Sequence, residues 1–229
     1  MHEQLEKIKS LEGSPKIIKN FLNSNEVNLF LKLYNDLPIT VHNLKQKVIK
    51  KRWISGFGKE LEEILRKRIE NEIGEFKMDN LNEPDGKECL GLFQESFNPI
   101  GLHVDAGFNL KDTIYHQTLL PLSNNGETVI FKNRYYGPST NFTNNKKELE
   151  ENSPENFKKG KNVRSSEHLK IYGNKPFDES YYKKYLKHET LENLKGLEVE
   201  FIYYWNLGDL LIFDRTHLHC SSCNIDGKK

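Results

Sequence analysis

The sequence predicts one mainly β domain with flanking helices, an antiparallel barrel or jelly roll carrying helices on its outside, and three observations predict it. The chain's 229 residues suffice for one core that stabilises itself unaided. Apolar residues recur at helical spacing in the first third. From Glu88 the period shortens to two, in short runs separated by Gly, Pro, Asn or Asp turns. Helices followed by a series of strands suit an antiparallel barrel better than the strand-helix alternation of a parallel sheet. We therefore expect helical support over about 1–85 and a barrel over about 86–229, interrupted by a lid-like insertion over about 132–196.

The elements follow in chain order. PKIIKNFLNSNEVNLFLKLYNDLP reads as a short strand entering a helix, with Asn23 as N-cap and Glu26 as its capping-box partner. Val27, Phe30, Leu31 and Tyr34 form the buried stripe, and Pro38 stops the helix. A second helix is expected from Lys59 to Ile73, with Leu61, Ile64, Leu65, Ile69 and Ile73 on one face and Gly74 at the C-terminal cap. The strand runs are ECLGLFQESF, LHVDAGF, TIYHQTLLPL, ETVIF, LEVEFIYYW, DLLIF and THLHCSS. In LEVEFIYYW, Leu197, Val199, Phe201, Tyr203 and Trp205 alternate with Glu198 and Glu200, as in a strand with one buried face. The polar, Asn- and Lys-rich stretch between Phe131 and Gly196 is too long for an ordinary connection and reads as an insertion over the barrel mouth. Its tyrosines, including Tyr135, Tyr136, Tyr181 and Tyr182, are candidates to line that mouth.

Composition excludes several classes. Lys and Arg number 34 against 33 Asp and Glu, so no global field draws in nucleic acid or an anionic membrane. No apolar stretch reads as a signal-peptide core or a membrane span, and a cytoplasmic address is expected by default. Cys89, Cys220 and Cys223 are too few for a disulfide framework. Cys220 and Cys223 could contribute to a zinc site if His217 and His219 completed it.

The chemistry begins at Gly101-Leu102-His103-Val104-Asp105. On an extended chain His103 and Asp105 project from one face and can grip the same metal ion. Two histidines and a carboxylate on one octahedral face leave open positions opposite, the arrangement of non-haem Fe(II) oxygenases. A second histidine lies far downstream in GDLLIFDRTHLHCSS, where His217 and His219 share a face and either could point inward. Asp214 and Arg215 read as a turn or surface ion pair. Near Pro121, Tyr115 and Gln117 share one face of a strand and His116 and Thr118 the other, so one pair must look inward.

These residues resemble a known family. Gly208-Asp209-Leu210-Leu211-Ile212-Phe213 followed by His219 and Ser221 is similar to the closing strands of the Fe(II)/2-oxoglutarate-dependent dioxygenase superfamily, including its prolyl 4-hydroxylase-like and phytanoyl-CoA dioxygenase-like branches. Gly126-Glu127-Thr128 resembles a strand of the prolyl 4-hydroxylase branch, and PKIIKNFLNSNE its entry segment. The likeness covers most of the chain from about Pro15, without the insertion. It implies a double-stranded β-helix (jelly-roll, cupin-like) barrel, Fe(II) held by His103, Asp105 and His219, and 2-oxoglutarate as co-substrate. Spacing from Gly208 then favours His219 over His217.

The resemblance also places a cation for the distal carboxylate of 2-oxoglutarate on the residues after His219, at Lys229 with Lys228 as neighbour, or else at Arg134. Gln117 and Thr118 are the candidates for further co-substrate bonds. The implied reaction takes molecular oxygen and a small-molecule or peptide substrate, hydroxylates a C–H bond and releases succinate and CO2. Retention of Asp105 disfavours halogenation, for which related enzymes lack that carboxylate. The alternative from another class is a non-catalytic cupin-like metal-binding or sensing module.

Overall fold

A computed structural model describes residues 2–44, 48–78, 86–105, 116–136, 140–142 and 172–224. The fold is mainly β: the described strands form three sheets, with every pairing antiparallel. In chain order the elements are α1 (His2–Lys9), β1 (Lys16–Ile18), α2 (Ser24–Asp36), β2 (Val41–Asn43), β3 (Val48–Ile54), α3 (Lys59–Ile73), β4 (Cys89–Ser96), β5 (His103–Val104), β6 (His116–Leu119), β7 (Glu127–Arg134) and β8 (Thr140–Asn141). The remainder are α4 (Glu179–Tyr185), α5 (Leu191–Leu194), β9 (Val199–Tyr204), β10 (Leu210–Asp214) and β11 (His217–Ser221).

The two predicted helices form where their signals lie. The Asn23 side chain accepts from the Glu26 amide, and the Glu26 carboxylate accepts from the Asn23 amide. This reciprocal cap satisfies two amide donors that the first turn leaves unpaired. Helix α3 spans the predicted residues and ends at Gly74, whose φ of 81° a residue with a side chain rarely adopts. The first third also contains β2 and β3, which helical periodicity did not announce, and the initial segment forms α1.

Three sheets organise the core. The five-stranded sheet has the order β8-β5-β11-β7-β9, and a three-stranded sheet runs β1-β10-β6. Ile130 and Tyr203 from the first meet Leu211 and Phe213 from the second in one buried cluster, so the two sheets face each other. Leu210 and Ile212 point the opposite way, into the apolar cluster that holds Val27, Phe30, Leu61, Leu65 and Trp53. Strand β10 is therefore buried on both faces, and all five of its residues are buried. Among the described residues these sheets do not close into a barrel. The third sheet, β2-β3-β4, packs Trp53 edge-on against Phe30 with ring centroids 5.5 Å apart.

The far side of the five-stranded sheet is covered by residues from the predicted insertion. Leu186 and Leu194 are fully buried against Leu102, Val129, Phe131, Leu218 and Cys220. Residues 132–134 belong to β7, while residues 143–171 lie outside the described residues. The described part from 172 to 196 thus includes support beneath the sheet. In β9 the alternation is broken by a register shift opposite Ile130 and Phe131. Phe201, Tyr203 and Trp205 face the inter-sheet core, whereas Val199 joins the cluster beneath the sheet.

Candidate metal centre

Strand β5 is only two residues long, and side chains from elsewhere hold it in place. The Ile100 amide donates to Ser221 Oγ at 2.6 Å, and the Leu102 amide donates to Glu189 Oε1 at 2.7 Å. Asn193 Nδ2 donates to the other Glu189 oxygen at 2.7 Å. With Leu102 and Val104 packed beneath the sheet, His103 emerges on the opposite face, directly across from His219 in the β5–β11 pairing. Period-two geometry fixes which face each side chain takes.

His103, Asp105 and His219 come together, with one ligand atom from each lying within 4.8 Å of the others, and form a group able to hold a metal ion. Asp105 Oδ2 is 3.1 Å from His219 Nε2, and Asp105 Oδ1 is 3.6 Å from His103 Nε2. The two imidazole rings are 4.2 Å apart. His103 Nδ1 lies 2.7 Å from the Gly101 carbonyl oxygen, and His219 Nδ1 lies 3.1 Å from that of His217. A carbonyl can only accept, so each Nδ1 carries a proton and Nε2 is the ring nitrogen turned toward Asp105. A carboxylate and imidazole nitrogens at this range share a positive charge, either a proton that Nε2 donates or a cation held by all three side chains.

The electrostatics agree with that donor set. Burial, reinforced by the nearby His219, lowers the His103 pKa to about 4, so the ring is neutral near neutral pH. Burial pushes the Asp105 carboxyl up, but His103, His219 and the Gln117 amide outweigh it and hold the group well below the usual carboxylate range. A neutral His103 ring and an ionised Asp105 are protonation states that ligate. Gln117 Nε2 donates to Asp105 Oδ2, and its buried Oε1 has no partner among the described residues. An orphaned acceptor beside the three ligands fits a site that receives a further donor, such as metal-bound water. Phe213 closes the inner wall, edge-on to His219 at 5.1 Å.

No protein-family model, curated protein or solved structure matches this chain.

The site residues predicted from sequence divide clearly. Gln117 is brought to the centre, whereas Thr118 is exposed on the outer face of β6, opposite Ile212. Thr118 is thus corrected from a co-substrate candidate to a surface residue, because period two sends it away from its neighbour Gln117. Lys228 and Lys229 lie outside the described residues, as does Tyr115. Arg134 is already engaged: it donates to Asp214 Oδ2 at 2.6 Å and to the Gly13 carbonyl at 2.9 Å, with Glu12 3.4 Å away. Asp214 is accordingly buried with Arg134 rather than forming a surface pair.

His217 is not a ligand. Its Nδ1 donates to the Phe131 carbonyl at 2.8 Å, and a bulge in the β11–β7 pairing separates it from His219. Cys220 faces the cluster beneath the sheet, where burial pushes its thiol well up, so it cannot join His219 around zinc. Nor do the candidate mouth tyrosines converge: Tyr135 stacks edge-on with Phe142, the Tyr136 hydroxyl donates to Glu12, and Tyr182 packs into the cluster beneath the sheet. Sequence reasoning missed Glu189 and Phe213, which act through contacts that link distant segments.

Proposed function

We propose that this chain is an Fe(II)- and 2-oxoglutarate-dependent oxygenase built on a double-stranded β-helix, hydroxylating a C–H bond of a small molecule or peptidyl residue. One observation carries the reading: two histidines, each with Nδ1 turned to a backbone carbonyl and Nε2 toward Asp105, and one ionised carboxylate converge on the inner face of opposed antiparallel sheets. His103, Asp105 and His219 would hold the ion. An Fe(II) ion held there would, with 2-oxoglutarate and oxygen, supply the oxidant for hydroxylation, with succinate and CO2 as co-products.

The chain's own residues prepare that chemistry. Carbonyl acceptors at Gly101 and His217 orient the two rings, and Gln117 fixes the carboxylate. Phe213 and the inter-sheet core shield one side from water.

Anaerobically purified protein supplied with Fe(II), 2-oxoglutarate and oxygen is expected to form succinate, even if slowly without its substrate. His103→Ala, Asp105→Ala and His219→Ala should abolish it. Folded wild-type protein that binds metal but never consumes 2-oxoglutarate would favour the non-catalytic metal-binding module instead.

A further inference from the structure

We propose that Gln117 and Phe213 act as one positioning pair, which from the sheet across the core sets the separation between Asp105 and His219. The inference rests on the metal-binding part of the reading above, but arises from the β6–β10 pairing rather than from the ligands. His103 and His219 stand on β5 and β11, both strands of the five-stranded sheet. Gln117 and Phe213 belong to the opposite sheet, where they are direct cross-strand partners on β6 and β10. Leu119 and Leu211, each two residues away, are partners too, and both meet the inter-sheet core. Period two therefore turns Gln117 and Phe213 inward with them.

Each member of the pair holds one ligand. Gln117 Nε2 donates to Asp105 Oδ2, and the Phe213 ring stands edge-on to the His219 ring at 5.1 Å, with the planes 70° apart. Asp105 Oδ2 in turn lies 3.1 Å from His219 Nε2. The four side chains close a circuit, from Gln117 through Asp105 and His219 to Phe213 and back across the β6–β10 ladder, whose backbone bonds fix its base. Neighbouring donors on an octahedral ion with bonds of about 2.1 Å lie about 3 Å apart. The separation held by the circuit is therefore one that a small divalent ion needs. A carboxylate oxygen has two lone pairs, so Oδ2 keeps its bond from Gln117 while it ligates. His103 lies outside the circuit, held by the Gly101 carbonyl and, through the Leu102 amide, by Glu189.

The probe is Co(II), whose visible bands report the number and arrangement of its ligands, titrated into the metal-free protein against a competing chelator. Phe213→Leu keeps apolar volume and removes the ring; it is expected to weaken Co(II) about threefold to tenfold and to alter the bands. Gln117→Ala is expected to weaken it about tenfold or more. The double variant should fall short of the product of the two single effects by about threefold or more, because either loss already opens the circuit. Phe213→Leu combined with Glu189→Ala should instead give the full product, since Glu189 acts on His103 alone. A Gln117–Phe213 double variant that reaches the full product, or Phe213→Leu protein with the wild-type affinity and bands, overturns the inference and leaves the metal centre standing. Weaker binding with unchanged bands and a lower urea midpoint of the metal-free Phe213→Leu protein makes Phe213 a packing residue and also overturns it. Folded wild-type protein that binds no Co(II) overturns the metal centre itself and, with it, this inference.

Discussion

At the scale of single residues, the centre depends on where protons sit. His103 and His219 both spend Nδ1 on backbone carbonyls, which leaves Nε2 as the donor atom. Gln117 holds the carboxylate in place without being a ligand. Its replacement by Ala should lower metal affinity about tenfold or more, read by competition with a chelator, with little change in thermal stability. Unchanged affinity would remove Gln117 from the centre. The His103-x-Asp105 pair was legible because strand alternation places both side chains together. The choice of Gln117 over Thr118 was not, since a pattern of two faces does not say which is inward.

At the scale of elements, short strands are placed by turns and by bonds from distant residues. Gly208 has a φ of 80°, and a Cβ there would lie 2.5 Å from the Leu22 carbonyl oxygen. The following residue, Asp209, is fully buried and accepts from the Asn20 amide at 2.9 Å and from Lys19 Nζ at 2.6 Å. The Gly-Asp pair in the sequence is thus the clasp that joins β10 to the entry segment. Gly208→Ala should destabilise the fold by about 1–3 kcal/mol from the backbone conformation alone, measured by urea unfolding; an unchanged midpoint would contradict this account of the turn.

Glu189 plays the corresponding part for β5. Glu189→Ala, which touches no ligand atom, should weaken metal binding by loosening His103, and Glu189→Gln should retain part of it because the amide oxygen still accepts from Leu102. Equal affinity in all three proteins would show that β5 holds its position without this bond. Helix α3 was legible end to end because five apolar residues recur at helical spacing and glycine stops it. The contribution of Glu189 was not, because the residues it joins are separated by 87 positions.

At the scale of the whole molecule, two facing sheets form the inner core, helices α2 and α3 pack outside one, and residues of the predicted insertion support the other. The sequence announced the β-rich half and its helical flank. It did not reveal that part of the insertion is core, because scattered apolar residues such as Leu186 and Leu194 gain meaning only from the sheet they meet. Burial there also sets a pH response. It lowers His188 to about 4, against an ordinary value of 6.5. The unfolded chain therefore takes up a proton that the folded chain resists, so this contribution to stability is complete above about pH 6.5 and declines as the pH falls toward 4. Metal-free His103 acts with the same sign. His188→Gln should flatten the fall in the urea midpoint between pH 7.5 and 5, whereas parallel curves would rule out this contribution.

The most direct test of the central claim is the absorption spectrum of the anaerobic protein with Fe(II) and 2-oxoglutarate. The account predicts a weak visible metal-to-ligand charge-transfer band, present in the wild type and lost in both His103→Ala and His219→Ala. Folded, Fe(II)-loaded wild-type protein without that band, or a band that survives both substitutions, would contradict it.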